Sequence, residues 1–177
     1  MHLFIARHAW AGDFGDPAWP DDSLRELTAE GAQRYTRMIR LLAERGLAPR
    51  RIATSPYTRC RQTAEIMASE IVTANGGAGR RPEIDVVQAL APGAGVEAVL
   101  DWAAAHAGAG SGGDAAGDLA VVGHNPDVGF AAAALVGDGR AAVRFAKGAI
   151  AAIRFSGKPA RGGGELVWHV TAKALGV

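Results

Sequence analysis

The chain has 177 residues, a length that suits one domain and lets a core form without metal or disulfide staples. Hydrophobic residues make up 49% and aromatics 6%, which excludes a long disordered chain and predicts a core of Ala, Val, Leu and Ile. Nineteen Lys and Arg against eighteen Asp and Glu leave a net charge of +1, a balance that argues against a dedicated nucleic-acid or anionic-membrane binder.

Cys60 is the single cysteine, so no internal disulfide forms and Cys-rich zinc sites are excluded. No apolar run approaches the roughly 18 residues of a membrane helix. The start, Met1-His2-Leu3-Phe4-Ile5-Ala6, lacks the basic flank and the apolar length of a signal peptide. The expectation is one cytoplasmic domain over residues 1–177. No period of 20–50 residues repeats, which excludes a solenoid.

Short apolar runs alternate with polar turns and helical patterns, the order of an α/β fold with a largely parallel sheet. Leu3-Phe4-Ile5-Ala6 reads as a buried strand. Residues 9–27 form a long Gly, Asp and Pro-rich loop carrying Trp10 and Trp19, which are expected to fold it down; loops of this length are often functional. Thr28 caps a helix running to about Arg45, with Ala32, Tyr35, Ile39 and Leu42 on one face and Gly46 as its stop. Arg51-Ile52-Ala53-Thr54 is the second strand. Ser55-Pro56 reads as a cap followed by Pro in the first helical position, with Cys60, Ala64, Met67 and Ile71 as the apolar stripe.

Residues 75–81 are a loop and Ile84-Asp85-Val86-Val87 the third strand. A third helix spans residues 95–106, with Val96, Val99, Leu100 and Ala103 facing inward. Residues 108–117 are Gly, Ala and Ser-rich, a flexible surface loop. Leu119-Ala120-Val121-Val122 is the fourth strand, and Asn125-Pro126 repeats the cap-then-Pro start of a helix through Leu135. Residues 143–155 are expected to pair with residues 166–171 across Gly162-Gly163-Gly164, an antiparallel end to a mixed sheet.

Ligands of open α/β sheets bind beyond the carboxyl ends of the parallel strands. Three such ends carry unusual polar residues: Arg7 and His8 after the first, Arg59 after the second, His124 after the fourth. Each alone has a plainer reading as a solvated turn, a surface arginine or a satisfied histidine. Together they place two imidazoles and two guanidiniums at one sheet edge, beside two helix N-termini whose free N–H groups favour an anion. That is the composition of a phosphate pocket. His8 and His124 are poor candidates for zinc because the arginines oppose a cation, so no metal or cofactor is expected. No phosphate-binding Gly-rich loop of the Gly-x4-Gly-Lys type is present. Cys60 has Ile66 where a Cys-based phosphatase carries Arg, and reads as a small buried helix residue. His2, His106 and His169 receive no role, and Trp102 and Trp168 read as packing.

These residues resemble a known family. Arg7-His8-Ala9 after an N-terminal strand is similar to the Arg-His-Gly motif of the histidine phosphatase (phosphoglycerate mutase-like) superfamily. Ser55-Pro56-Tyr57-Thr58-Arg59-Cys60-Arg61-Gln62-Thr63-Ala64 resembles its Ser-Pro-x-x-Arg-x-x-Gln-Thr motif, and Gly123-His124-Asn125-Pro126 its second-histidine motif. Arg25-Glu26-Leu27-Thr28-Ala29-Glu30-Gly31 is similar to a segment of its small bacterial branch. The short length and the Arg-His-Ala form resemble SixA-like phosphohistidine phosphatases. Ala9 departs from the usual Gly, and would be strained if the position required positive φ.

The resemblance implies a three-layer sandwich, a mixed and mostly parallel sheet flanked by helices. It implies His8 as nucleophile, forming a phosphohistidine enzyme, with Arg7, Arg59 and His124 around the phosphoryl oxygens and Arg25 as a further phosphate ligand. Relatives that cleave esters carry a general acid, either Glu after the third strand or Asp after the second histidine. Here the stretch from Gln88 to Gly95 holds no carboxylate and Asn125 follows His124, which favours phosphohistidine, whose imidazole leaves without strong acid help. Asp13, Asp16 and Glu97 are the carboxylates left to swing in. Three readings follow: a phosphatase for phosphohistidine in a partner protein of signalling type, such as a histidine-phosphotransfer domain; a phosphatase for small phosphate monoesters; and a non-catalytic phosphate-binding module.

Overall fold

The computed structural model describes residues 1–77, 79–108 and 117–177, so most of the expected loop at residues 108–117, and residue 78 of the loop at residues 75–81, lie outside it. In chain order the elements are β1 (His2–Arg7), α1 (Ala29–Ala43), β2 (Arg51–Thr54), α2 (Thr58–Ala74), β3 (Glu83–Val86), α3 (Val96–His106), β4 (Leu119–Gly123), α4 (Asp127–Val136), β5 (Ile150–Phe155) and β6 (Gly164–Val170). Single 3-10 turns lie at Asp22–Leu24, Gln88–Leu90 and Ala172–Leu175.

The six strands form one sheet in the order β3-β2-β4-β1-β5-β6. β1, β2, β3 and β4 run parallel, and β5 and β6 antiparallel to their neighbours. This is the expected mixed, mostly parallel α/β sandwich. Side chains alternate between faces along each strand, so both faces of the central strands must be apolar. Phe4, Ala6, Ile52, Ala120 and Val122 pack under α1 and α2, against Tyr35, Met38, Ile39, Cys60, Ala64 and Met67. Leu3, Ile5, Ala53, Leu119 and Val121 pack under α3 and α4, against Val99, Trp102, Ala103, Val128, Ala131 and Leu135. The core is the expected aliphatic one, supplemented by buried Tyr35, Met38, Met67 and Phe145. Among the described residues no helix is long and apolar enough to cross a membrane.

Thr28 caps α1, its hydroxyl accepting from the Gly31 N–H at 3.0 Å, a contact worth about 1 kcal/mol. The helix closes at Ala43, and Gly46 (φ +95) supplies the left-handed turn beyond it. Gly31 and Met38 are buried with Tyr35, Ile39 and Leu42, whereas Ala32 is half-buried.

Two helix starts differ from expectation. α2 opens at Thr58 and α4 at Asp127, with Tyr57 and Pro126 in the cap positions and no side-chain cap on either. The Ser55 N–H continues the sheet ladder, donating to the Val122 carbonyl at 3.1 Å, and Ser55 Oγ is engaged by His124. Asn125 is exposed, joined to Pro126 by a cis peptide bond. Residues 143–149 are not strand: β5 starts at Ile150, and the preceding segment arches over the sheet end, where the Phe145 carbonyl accepts from Arg7 Nη1 at 2.9 Å. Gly148 (φ +73) belongs to that arch, and a Cβ there would meet Trp10 at 3.0 Å. β3 starts one residue earlier than predicted, at Glu83. The loop of residues 9–27 is pinned by an Ala11–Leu27 bridge and by the Asp22–Leu24 turn.

Candidate active site

The register of the sheet gathers the sequence motifs at one edge. Arg7 pairs with Gly123, and Thr54 with Val122, so β1, β2 and β4 end level. The ladder extends one residue further, the His8 N–H donating to the Gly123 carbonyl at 3.0 Å. His8, Ser55 and His124 therefore leave the sheet side by side. The His8 and His124 rings lie 5.4 Å apart between centroids. Both are buried, at 6% and 4% exposure, as is Arg59 at 4%.

His8 Nδ1 lies 2.8 Å from the Ala9 carbonyl. A carbonyl only accepts, so Nδ1 carries the proton and the Nε2 lone pair is left available. Ala9 is fixed in turn, its N–H donating to Thr63 Oγ1 at 3.0 Å, while Thr63 Oγ1 donates to the Arg59 carbonyl at 2.7 Å. No non-glycine residue among those described has positive φ, so Ala9 takes the place of glycine without strain.

His124 Nε2 lies 2.8 Å from Ser55 Oγ, and its Nδ1 lies 3.4 Å from Arg59 Nη2. Arg59 is donor-only, so the neutral ring presents its Nδ1 lone pair to the guanidinium and its Nε2–H to the serine. Tyr57 packs edge-on against His124 and lies under the Arg59 guanidinium at 4.8 Å. Cys60 Sγ lies 3.4 Å from His124 Nε2. Burial pushes its thiol up to about 12, which leaves it protonated, and the side chain is fully buried in the core cluster under α1 and α2.

Burial pushes the His8 imidazole down to about 3, opposed by the Ala9 hydrogen bond and reinforced in turn by the charges of Arg59, His124 and Arg7. His124 is likewise pushed down to about 4, by burial first and then by Arg59. Both rings are neutral near pH 7. An unfolded chain takes up protons on these imidazoles below about pH 6.5, while the folded chain refuses them. Stability is therefore complete above about 6.5 and falls as the pH drops toward 3, by roughly 2 kcal/mol per imidazole between pH 7 and 5. Denaturant midpoints measured across that window are expected to drop, and His8→Asn to flatten the slope; identical slopes in the two proteins would contradict it.

Arg25, the further residue singled out in the sequence, is 8% exposed and directs Nε to Asp22 Oδ1 at 2.8 Å and Nη1 to the Gly12 carbonyl at 2.6 Å. Asp22 itself accepts from Arg59, so Arg25 joins the cluster through that carboxylate. Sequence reasoning missed Asp22. It also missed Ser55 and Thr63 as site residues, although both stand inside the quoted Ser-Pro and Gln-Thr motif. Gln62 of that motif accepts from the Leu27 N–H at 2.7 Å and ties the long loop to α2. The carboxylates the sequence left as candidates are engaged elsewhere or exposed: Asp13 is exposed, Asp16 accepts from the Ala18 N–H and Glu97 pairs with Arg161. Trp10 stacks under Arg34, which accords with a loop folded down rather than a substrate contact.

The parallel strand ends of this α/β sheet thus bring two neutral imidazoles together with the buried guanidiniums of Arg25 and Arg59. No protein-family profile matches the chain. It is 37% identical to an uncharacterized protein of Picosynechococcus over 131 residues, covering 73% of this chain and 69% of that protein. It is similar to the solved structure of the protein histidine phosphatase SixA complexed with tungstate, with a TM-score of 0.76 and 25% identity over 99% of both chains. It is also similar to a structure from Nakamurella multipartitia assigned as a phosphohistidine phosphatase SixA, with a TM-score of 0.67 and 26% identity over 96% of this chain and 95% of that one. The fold is that of the histidine phosphatase superfamily and matches its SixA-like branch.

Proposed function

We propose that this protein is a phosphatase that works through a phosphohistidine at His8 and removes phosphoryl groups from phosphohistidine in a partner protein. The observation that carries the reading is the state of His8: buried, neutral, with Nδ1–H committed to the Ala9 carbonyl and Nε2 unprotonated beside Arg7, Arg59 and His124. A neutral imidazole with a free lone pair is a nucleophile; the imidazolium is not.

In the first step the Nε2 lone pair forms a bond to phosphorus as the phosphorus–nitrogen bond to the substrate imidazole breaks. That electron pair stays on the leaving ring, which takes a proton from solvent. In the second step water attacks phosphorus, the bond to Nε2 breaks, the lone pair returns to His8, and the water proton leaves with phosphate or solvent. Arg7, Arg59 and His124 hold the phosphoryl oxygens, with Arg25 supporting them. An arriving dianion raises the affinity of His124 for a proton, against the burial and the Arg59 charge that keep the resting ring neutral. The guanidiniums supply the charge that a divalent ion would bring and repel such an ion, so the reading is metal-independent and needs no cofactor.

Two features favour a protein-borne phosphohistidine over a small ester. No carboxylate among those singled out in the sequence contacts His8 or His124, and an alkoxide leaving group needs an acid that imidazole does not. The long loop and α4, which follow β1 and β4 at this end of the sheet, also expose Phe14, Leu24 and Phe130, at 81%, 58% and 59%. Exposed apolar side chains suit contact with a macromolecule, such as a histidine-phosphotransfer domain. The test is trapping: incubation with a radiolabelled phosphohistidine protein, quenching in base, and peptide mapping. Acid-labile, base-stable label on the peptide containing His8 is the expected result. Absence of label while substrate is consumed would exclude the intermediate, and faster turnover of sugar phosphates than of phosphohistidine would favour the ester reading.

A further inference from the structure

One carboxylate does enter the cluster, and the two chemical steps at His8 give it no task. Asp22 opens the 3-10 turn of the long loop, which is itself capped by Asp21, whose carboxylate accepts from the Ser23 N–H at 2.9 Å. From this fixed position Asp22 engages Arg59 twice: Nη1 donates to its carbonyl at 2.7 Å and Nη2 to Oδ2 at 3.0 Å. Its other carboxylate oxygen accepts from Arg25 Nε at 2.8 Å. One residue therefore grips the outer ends of the Arg59 fork and ties Arg25 to it.

A guanidinium carries five N–H donors in a rigid plane, and fixing two of them fixes the direction of the rest. Three donors remain on Arg59: the Nε–H, buried and unpartnered among the described residues, the second Nη1–H, and the second Nη2–H on the edge turned toward His124. Asp22 is poorly suited to lend a proton. Burial alone would raise its carboxyl, but the hydrogen bond from Arg25 and the charges of Arg59 and Arg25 outweigh burial and hold it below its ordinary range.

We propose that Asp22 is a positioning residue: it locks the Arg59 fork so that the remaining N–H edge meets the phosphoryl group passing between His8 and His124. The proposal rests on the phosphoryl-transfer reading of the site. Because Asp22 is an anion beside an anion site, it has two opposite effects. Its charge weakens resting binding of phosphate, whereas its grip on Arg59 strengthens contacts to the transition state, where alignment matters most.

Asp22→Asn separates these effects. With the phosphohistidine protein as substrate, kcat is expected to fall tenfold or more, while the inhibition constant of inorganic phosphate stays the same or decreases. Asp22→Glu, which restores the charge, is expected to recover part of the lost kcat. A residue that only held the loop together would lose turnover and phosphate affinity in parallel, and that result would overturn the proposal, as would a kcat within twofold of wild type. A second measurement needs no turnover: the Arg59 side-chain Nε–H resonance, sharp in the wild type, is expected to broaden in Asp22→Asn, and an unchanged resonance counts against the proposal. Wild-type protein that hydrolysed no phosphate would defeat the phosphatase reading, and the resonance would still decide whether Asp22 orders Arg59.

Discussion

Replacing His8 by Gly is expected to lower phosphatase turnover by about four orders of magnitude or more, since removing a nucleophile removes the covalent route and leaves only binding and charge stabilisation. The variant empties a buried space the size of an imidazole, floored by the Ala9 carbonyl that the His8 Nδ1–H normally meets. Free imidazole added to the variant is expected to restore part of the turnover by occupying that space and attacking phosphorus from the same direction, releasing phosphoimidazole that water then hydrolyses. Arg7, Arg59 and His124 remain in place, because the Phe145 carbonyl, Asp22 and Ser55 hold them independently of His8. Phosphate binding by the variant is therefore expected to persist. Turnover by His8→Gly equal to that of the wild type would refute the nucleophilic role outright. Loss of phosphate binding together with turnover would instead mean that the cluster depends on His8 for its assembly.

How much of this could be read from residues alone follows from the range of the interactions involved. The strands around Leu3, Ile52 and Val121 were legible because a parallel strand buried on both faces must be apolar throughout. The convergence of Arg7, His8, Arg59 and His124 was legible because residues at the carboxyl ends of neighbouring parallel strands share an edge. The starts of α2 and α4 were not, although Thr28 caps α1 as its sequence implies. Ser55 has the side chain of a cap, yet its N–H continues the sheet to the Val122 carbonyl and its hydroxyl meets His124 as well as the Tyr57 N–H, so a tertiary partner competes with the local preference and α2 begins at Thr58, two residues beyond the expected start at Pro56. Asn125 likewise precedes a proline and fails to cap α4. Residues 143–149 are rich enough in apolar side chains to read as strand, but only Gly148 and Ala149 continue the backbone pairing with β1, and the Phe145 carbonyl is taken by the Arg7 guanidinium. Asp22 was hidden for a related reason. Its sequence neighbourhood is an ordinary acidic loop, and only the folded chain brings it to Arg59.

Arg59→Ala is expected to reduce kcat/KM by about three orders of magnitude, because the transition state loses two charge-assisted hydrogen bonds worth about 1.5–3 kcal/mol each. Arg59→Lys is expected to recover only a fraction of this: the ammonium restores a point charge but not the planar fork that Asp22 grips. The same substitution reports on the electrostatics of the cluster. Arg59 lowers the affinity of both His8 and His124 for protons, so its removal must raise both. Imidazole resonances followed by NMR titration are expected to show His124 moving upward from about 4, and Arg59→Lys to hold it nearer the wild-type value. The rise in His8 matters to the chemistry, since an imidazole that protonates closer to neutral pH is a nucleophile for a smaller part of the pH range. Arg59→Ala is therefore expected to move the acid limb of the pH–rate profile upward as well as to lower the plateau. A variant with a lower plateau and an unmoved limb would confine Arg59 to holding the phosphoryl oxygens and would exclude it as a guardian of the neutral His8.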